Sequence, residues 1–293
     1  MVQIKISNTF IKLIFVFFCF LSVCLVYQSV NLRNKIEENI TDLEHHINSV
    51  SAVPIVHEST ENEKDKLKDW NDYKFMVKEN LRVGPGEKGE GFQLTDPDEI
   101  ELNQQLLDKT GFSVVVSDKI SVERSLLNAV HPHCMDIKYL EKLPSVSVII
   151  IFHNEVKSVL LRTIHSVINR TPAELLHEVI LVNDNSTEPE LYEPLQTYVN
   201  EHFGGKVKIK NLNERKGLIV TRMEGARAAT GDILVFFDSH VEVQTNWLPP
   251  LIEPIAKNRK LGTTPIIDYL DPESFAYMDP GDFLGQFQQL SIQ

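Results

Sequence analysis

Asp238-Ser239-His240 stands at the end of an apolar run, Asp232 to Phe237. On an extended backbone residues i and i+2 point the same way, so a carboxylate and an imidazole converge there. Oxygen plus nitrogen donors suit a divalent ion such as Mn²⁺, with phosphate oxygens completing the shell. Such an ion neutralises a departing diphosphate. Asp-x-His also recurs by chance, and a strand-end turn with a surface histidine is the competing reading. Two more polar clusters follow apolar runs: His153-Asn154-Glu155 and Asn183-Asp184-Asn185. Asp184 either accepts a hydrogen bond from a nucleobase or ribose, or closes an Asx turn. Arg215 and Lys216 precede Gly217 and a helical pattern from Leu218. A positive pair opposes the dipole at a helix N-terminus, unless an anion such as a diphosphate docks there. A plain exposed turn is the alternative.

These clusters need rigid elements behind them. Val146 to Phe152 is a continuous β-branched and apolar run, the pattern of a strand buried on both faces. Ser158 to Asn169 repeats apolar residues at helical spacing and is closed by Thr171-Pro172. Strands follow over 179–182, 207–212 and 232–237, with helices over 191–203 and 218–229 between them. Alternation of strand and helix predicts an α/β domain with a mainly parallel sheet flanked by helices. Ligands of such sheets bind beyond the carboxyl ends of the strands, where the three polar clusters fall.

Other motifs carry less. Gly84-Pro85-Gly86-Glu87-Lys88-Gly89 matches G-x-G-x-x-G, but neither a strand precedes it nor a helix follows. It reads as a turn-rich boundary. His131-Pro132-His133-Cys134 lacks the spacing of a closed zinc site and reads as loop. No Ser-His-Asp order stands out, and no catalytic residue is assigned.

Residues 13–30 form an apolar run with Lys5 and Lys12 before it. Counted with Phe10 and Ile11 it reaches the roughly 20 residues that span a bilayer. No small-x-small cleavage site follows, so a signal-anchor transmembrane helix is expected, with 1–12 cytoplasmic and the body lumenal, a type II topology. Sequons at Asn39, Asn169 and Asn185 fit a lumenal body, and Cys134 is then a lone lumenal thiol. Residues 31–80 are charged and read as a stem, leaving 81–293 as the domain. With 41 acidic against 29 basic residues and a net charge of −12, the chain lacks the basic footprint of nonspecific nucleic-acid binding.

At these residues the chain resembles the polypeptide N-acetylgalactosaminyltransferases, Golgi type II enzymes that start mucin-type O-glycosylation. The matching strings include Phe152-His153-Asn154-Glu155, Leu160-Leu161-Arg162-Thr163, Ser166-Val167-Ile168-Asn169-Arg170-Thr171-Pro172, Gly217-Leu218-Ile219, Phe237-Asp238-Ser239-His240-Val241-Glu242, Trp247-Leu248-Pro249-Pro250-Leu251 and Pro265-Ile266-Ile267-Asp268. The resemblance runs from about residue 75 to about 285. It implies a GT-A, Rossmann-like fold and a retaining, Mn²⁺-dependent transfer of N-acetylgalactosamine from UDP-GalNAc to Ser or Thr of a polypeptide. By motif, Asp238 and His240 match the metal ligands, Ser239 a donor contact, and His153, Asp184 and Arg215 the nucleotide-sugar side.

The resemblance also implies features that this sequence does not carry: a third histidine ligand, a Trp-, Gly- and Glu-rich acceptor motif, and a lectin domain. Thr264 stands where a cysteine is usual, Cys134 lacks its usual downstream partner, and Asn183 and Ile151 replace a common aspartate and threonine. A fold incomplete at its C-terminus and a chain with little or no transferase activity are therefore expected. A catalytically dead, anchored protein that binds UDP or a partner is the alternative.

Overall fold

The computed structural model describes residues 66–127 and 132–278. The expected membrane run at 13–30 lies outside them, as does most of the stem. Among the described residues no helix is long and apolar enough to cross a membrane.

Four parallel strands form the central sheet: β3 (Val146–Phe152), β4 (Leu176–Asn183), β5 (Val207–Asn211) and β6 (Ile233–Phe237). Their spatial order is β5-β4-β3-β6, and all three pairings are parallel. Chain order runs outward from β3 through β4 to β5, then returns to the other side of β3 for β6. The gap between β3 and β6 is thus the point where the winding reverses, which is where open α/β sheets bind ligands.

Helices α5 (Lys157–Arg170), α6 (Glu193–Phe203), α7 (Leu218–Ala228) and α8 (Leu248–Lys257) connect and flank the strands. Alternation along β3 divides the core. Val146, Val148, Ile150 and Phe152 join the larger apolar cluster with Leu160, Ile164, Val167, Leu195 and Leu248. Ile149 and Ile151 join a smaller one with Ile180, Val182 and Leu212, under Ala226 and Ala229. Each large aliphatic side chain fully buried this way contributes roughly 1.5–3 kcal/mol. On the smaller side α7 approaches closely at Gly225, where a Cβ would sit 2.3 Å from Ile149 Cγ2. Only glycine permits that approach.

Ahead of the sheet lie β1 (Leu67–Lys68), α1 (Tyr73–Asn80), α2 (Pro97–Thr110), α3 (Val114–Lys119), α4 (Pro132–Met135) and β2 (Tyr139–Leu140). β1 pairs antiparallel with β2, and Trp70 is buried in the larger cluster, so body and expected stem overlap from Leu67. Residues 84–89 form glycine turns around a short 3₁₀ stretch, with Gly86 and Gly89 at φ of 73° and 71°. Cys134 is exposed and outside any disulfide. A two-strand hairpin, β7 (Tyr269–Leu270) with β8 (Tyr277–Met278), is the last described element.

Candidate functional site

β6 ends at Phe237, and residues 239–240 form a turn rather than extended backbone. The alternation argument for Asp238 and His240 therefore does not apply as expected. Each side chain is fixed instead by its own contact. Asp238 Oδ1 accepts from Arg222 of α7 at 3.1 Å, in a pair whose side chains are 39% and 56% exposed. His240 Nδ1 lies 3.0 Å from Glu155 Oε2. The two residues still feel each other: the bond to Glu155 raises the His240 pKa most, burial opposes it, and the charges of Glu155 and Asp238 raise it further.

Glu155 follows β3 in the cluster His153-Asn154-Glu155, and the sequence alone gives it no separate role. Its Oε2 accepts from Ser239 Oγ at 2.6 Å as well as from His240, and its Oε1 accepts from the Val156 N–H at 2.9 Å. Burial pushes this carboxyl up, but those bonds outweigh burial and hold it below the usual range. It is therefore an ionised acceptor.

α5 pins the backbone of the same segment. Thr163 Oγ1 donates to Ser239 O at 2.9 Å and accepts from the Val241 N–H at 3.0 Å. One turn on, Ser166 Oγ accepts from the Val243 N–H, and Arg170 donates to Val243 O. Glu242 makes a two-pronged pair with the fully buried Arg124, at 2.9 and 2.8 Å. Positions three and four apart on a helix share a face, so one side of α5 holds the whole 239–243 stretch. A cavity of about 310 Å³ opens beside His240, between α5 and residues 269–275, lined also by Arg162, Thr163 and Phe275. Burial lowers the Arg162 guanidinium to about 10.

His153 and Asp184 meet in a second group. His153 Nδ1 lies 2.8 Å from Asp184 O. The Asp184 carboxylate accepts from the Lys216 N–H at 2.7 Å and the Gly217 N–H at 2.8 Å. Burial pushes Asp184 up, but these two N–H groups outweigh it and hold its carboxyl low. Gly217, at φ 79°, is the residue before α7. The anion at this helix N-terminus is thus Asp184 itself, which answers the dipole problem posed by Arg215 and Lys216 without a ligand. Arg215 is exposed on the preceding loop. Neither the Asp184 contact nor Arg222 is readable from local sequence.

Asp238 and His240 offer one carboxylate and one imidazole, both more than half exposed. That donor set fits a hard divalent cation of the Mn²⁺ class, with phosphate and water oxygens filling the remaining positions. Among the described residues no three His, Cys, Asp or Glu side chains gather into a complete metal cluster.

A model of glycosyl transferase family 2 matches residues 147–291. N-acetylgalactosaminyltransferase 6 of Drosophila melanogaster is 49% identical over 210 residues, which is 72% of this chain and 31% of that protein. Polypeptide N-acetylgalactosaminyltransferase 10 of Homo sapiens is 47% identical over 212 residues, 72% of this chain and 34% of that protein. The chain thus spans about a third of the length of the curated relatives it matches. A crystal structure of GalNAc-T7 with UDP, GalNAc and Mn²⁺ aligns with a TM-score of 0.64 at 38% identity, covering 69% of this chain and 37% of that one. The parallel sheet flanked by helices is therefore GT-A-like, and the chain belongs to the polypeptide N-acetylgalactosaminyltransferase family, whose glycosyl transferase family 2 domain it carries.

Proposed function

We propose that this chain binds UDP-GalNAc with Mn²⁺ beyond the carboxyl ends of β3, β4 and β6, and serves a retaining transfer of N-acetylgalactosamine to Ser or Thr of a polypeptide. The observation that carries the reading is that Asp238 and His240 directly follow β6, while His153 and Asp184 meet just past β3, the strand next to it, and β4 beyond. The chain's likeness to GalNAc-T7, solved with UDP, GalNAc and Mn²⁺, supports it. Asp238 and His240 would hold the cation, which supplies charge neutralisation for the departing diphosphate. His153, Asp184 and Arg215 belong to the nucleotide side, where exposed Arg215 adds positive charge. Ser239 donates its hydroxyl proton to Glu155, so its oxygen meets the donor as an acceptor.

Calorimetry of UDP binding to the full chain, purified in detergent, tests this. Binding should require Mn²⁺ and vanish in Asp238→Ala; unchanged affinity in that variant refutes the metal assignment. We also propose a Golgi location with the body lumenal, on the strength of the 13–30 run and the lysines before it. Protease protection of residues 66–278 in sealed microsomes is the corresponding measurement.

A further inference from the structure

We propose that Glu155 is a positioning residue that fixes the proton of the neutral His240 ring on Nδ1 and so presents Nε2 as a bare donor to a divalent cation. The inference rests on the metal reading above and adds to it a residue outside the Asp-x-His pair.

The geometry is specific. A carboxylate accepts and cannot donate, so the ring nitrogen 3.0 Å from Glu155 Oε2 must carry the proton. Nε2 is then the lone-pair nitrogen, on a side chain 58% exposed at the mouth of the site. Glu155 is itself held. Its side chain is 10% exposed, the Val156 N–H bonds one oxygen, and the Ser239 hydroxyl bonds the other alongside His240. Ser239 in turn has its carbonyl bonded by Thr163 of α5. The orienting carboxylate and the ring it orients thus hang on two adjacent strand ends, β3 and β6, tied through one oxygen. Metal-bound imidazoles commonly donate their second ring N–H to such a carboxylate, and losing that partner weakens metal affinity roughly 10–100-fold.

Two measurements on the full chain in detergent test this. Long-range ¹H–¹⁵N spectra of the metal-free protein at alkaline pH read the His240 tautomer directly. The expected result is a protonated Nδ1 and a bare Nε2. In Glu155→Gln the amide N–H competes for the same ring nitrogen, so the Nε2–H form should gain population. Mn²⁺ affinity, read by the loss of the free-ion electron paramagnetic resonance signal, should fall roughly 10–100-fold. Glu155→Asp keeps a carboxylate one methylene short, and should retain part of both effects. If the glutamine variant does not fold, the wild-type tautomer and the aspartate variant still decide. A wild-type ring protonated on Nε2 overturns the proposal, as does a folded Glu155→Gln chain with the wild-type tautomer and Mn²⁺ affinity. Failure of wild type to bind Mn²⁺ at all sinks the metal reading instead, and the tautomer measurement separates the two.

Discussion

The two faces of the central sheet are held by different forces. On one, α5, α6 and α8 cover a large apolar cluster that includes Leu160, Ile164, Leu195, Val199, Leu248 and Ile252. On the other, α7 covers five buried hydrophobic residues among those described. Leu218, Ile219, Met223, Leu234 and Phe236 there remain 40–73% exposed. What that second face lacks in apolar burial it partly offsets with charge. Glu178 of β4, with its side chain only 2% exposed, accepts from Ser147 of β3, from the Thr230 N–H and hydroxyl, and from Lys208 of β5. The candidate site straddles both. His240 and Ser239 are anchored from the apolar side through Glu155 and Thr163. Asp238 and Asp184 meet the other side, through Arg222 and the start of α7. One half of the site is therefore preorganised by packing, and the other depends on a helix with less apolar burial behind it.

The contrast breaks most severely at Glu242. Truncating it to Ala leaves the Arg124 guanidinium buried without its carboxylate partner. Breaking such a pair costs about 3–5 kcal/mol, so urea unfolding should reveal a loss of that size. A loss below about 1 kcal/mol would mean that the apolar face does not depend on the pair.

A smaller loss is expected across the sheet. Gly225→Ala places a methyl 2.3 Å from Ile149 Cγ2. α7 must then lift or Ile149 must shift, at a cost of about 1–3 kcal/mol. Hydrogen exchange should place the loosening in α7 and spare α5. Equal loosening of both helices would mean that the faces are not independent.

Acid should open the same face. Burial pushes the Glu178 carboxyl up, but Lys208, Thr230 and Ser147 outweigh it and bring it from 4.5 down to about 2. A folded pKa below the unfolded one stabilises above the unfolded value and stops doing so as the group protonates. The contribution of Glu178 is thus complete above about pH 4.5 and is lost as pH falls toward about 2. Thermal midpoints across that window should fall more steeply in wild type than in Glu178→Gln. Parallel slopes would remove Glu178 from the account.

The apolar face was also the legible one. β3, α5 and β4 carry long continuous or periodic signals, and their ends fall within about three residues of the expected bounds. The sequence pattern predicts no helix over α2, although Asp96 caps it, Pro97 opens it and Gly111, at φ 77°, closes it. It buries no residue fully, so its apolar periodicity is weak and only its end signals were available. The site was legible as a set of residue types at strand ends. Its wiring was not, because each working contact joins residues far apart in sequence: Glu155 with His240, Asp184 with Gly217, Arg124 with Glu242. Spacing arguments see i and i+2, and the turn at 239–240 removed even that.

The smallest expected effect on stability lies at Arg222, and there the contrast becomes functional. Its pair with Asp238 is 39% and 56% exposed, and such surface pairs contribute about 0–1 kcal/mol. Arg222→Ala should leave the unfolding midpoint nearly unchanged. It should still alter the site, because the Asp238 carboxylate that Arg222 engages is the one proposed to hold the cation. A guanidinium 3.1 Å away both occupies one carboxylate oxygen and repels a second positive charge. Removing it should tighten binding of Mn²⁺ alone severalfold, with the gain shrinking as salt screens the repulsion. His240, held from the apolar side, should keep its tautomer throughout. If Mn²⁺ binds more weakly in Arg222→Ala, the arginine orients Asp238 rather than competing for it, and the polar face is as preorganised at this point as the apolar one.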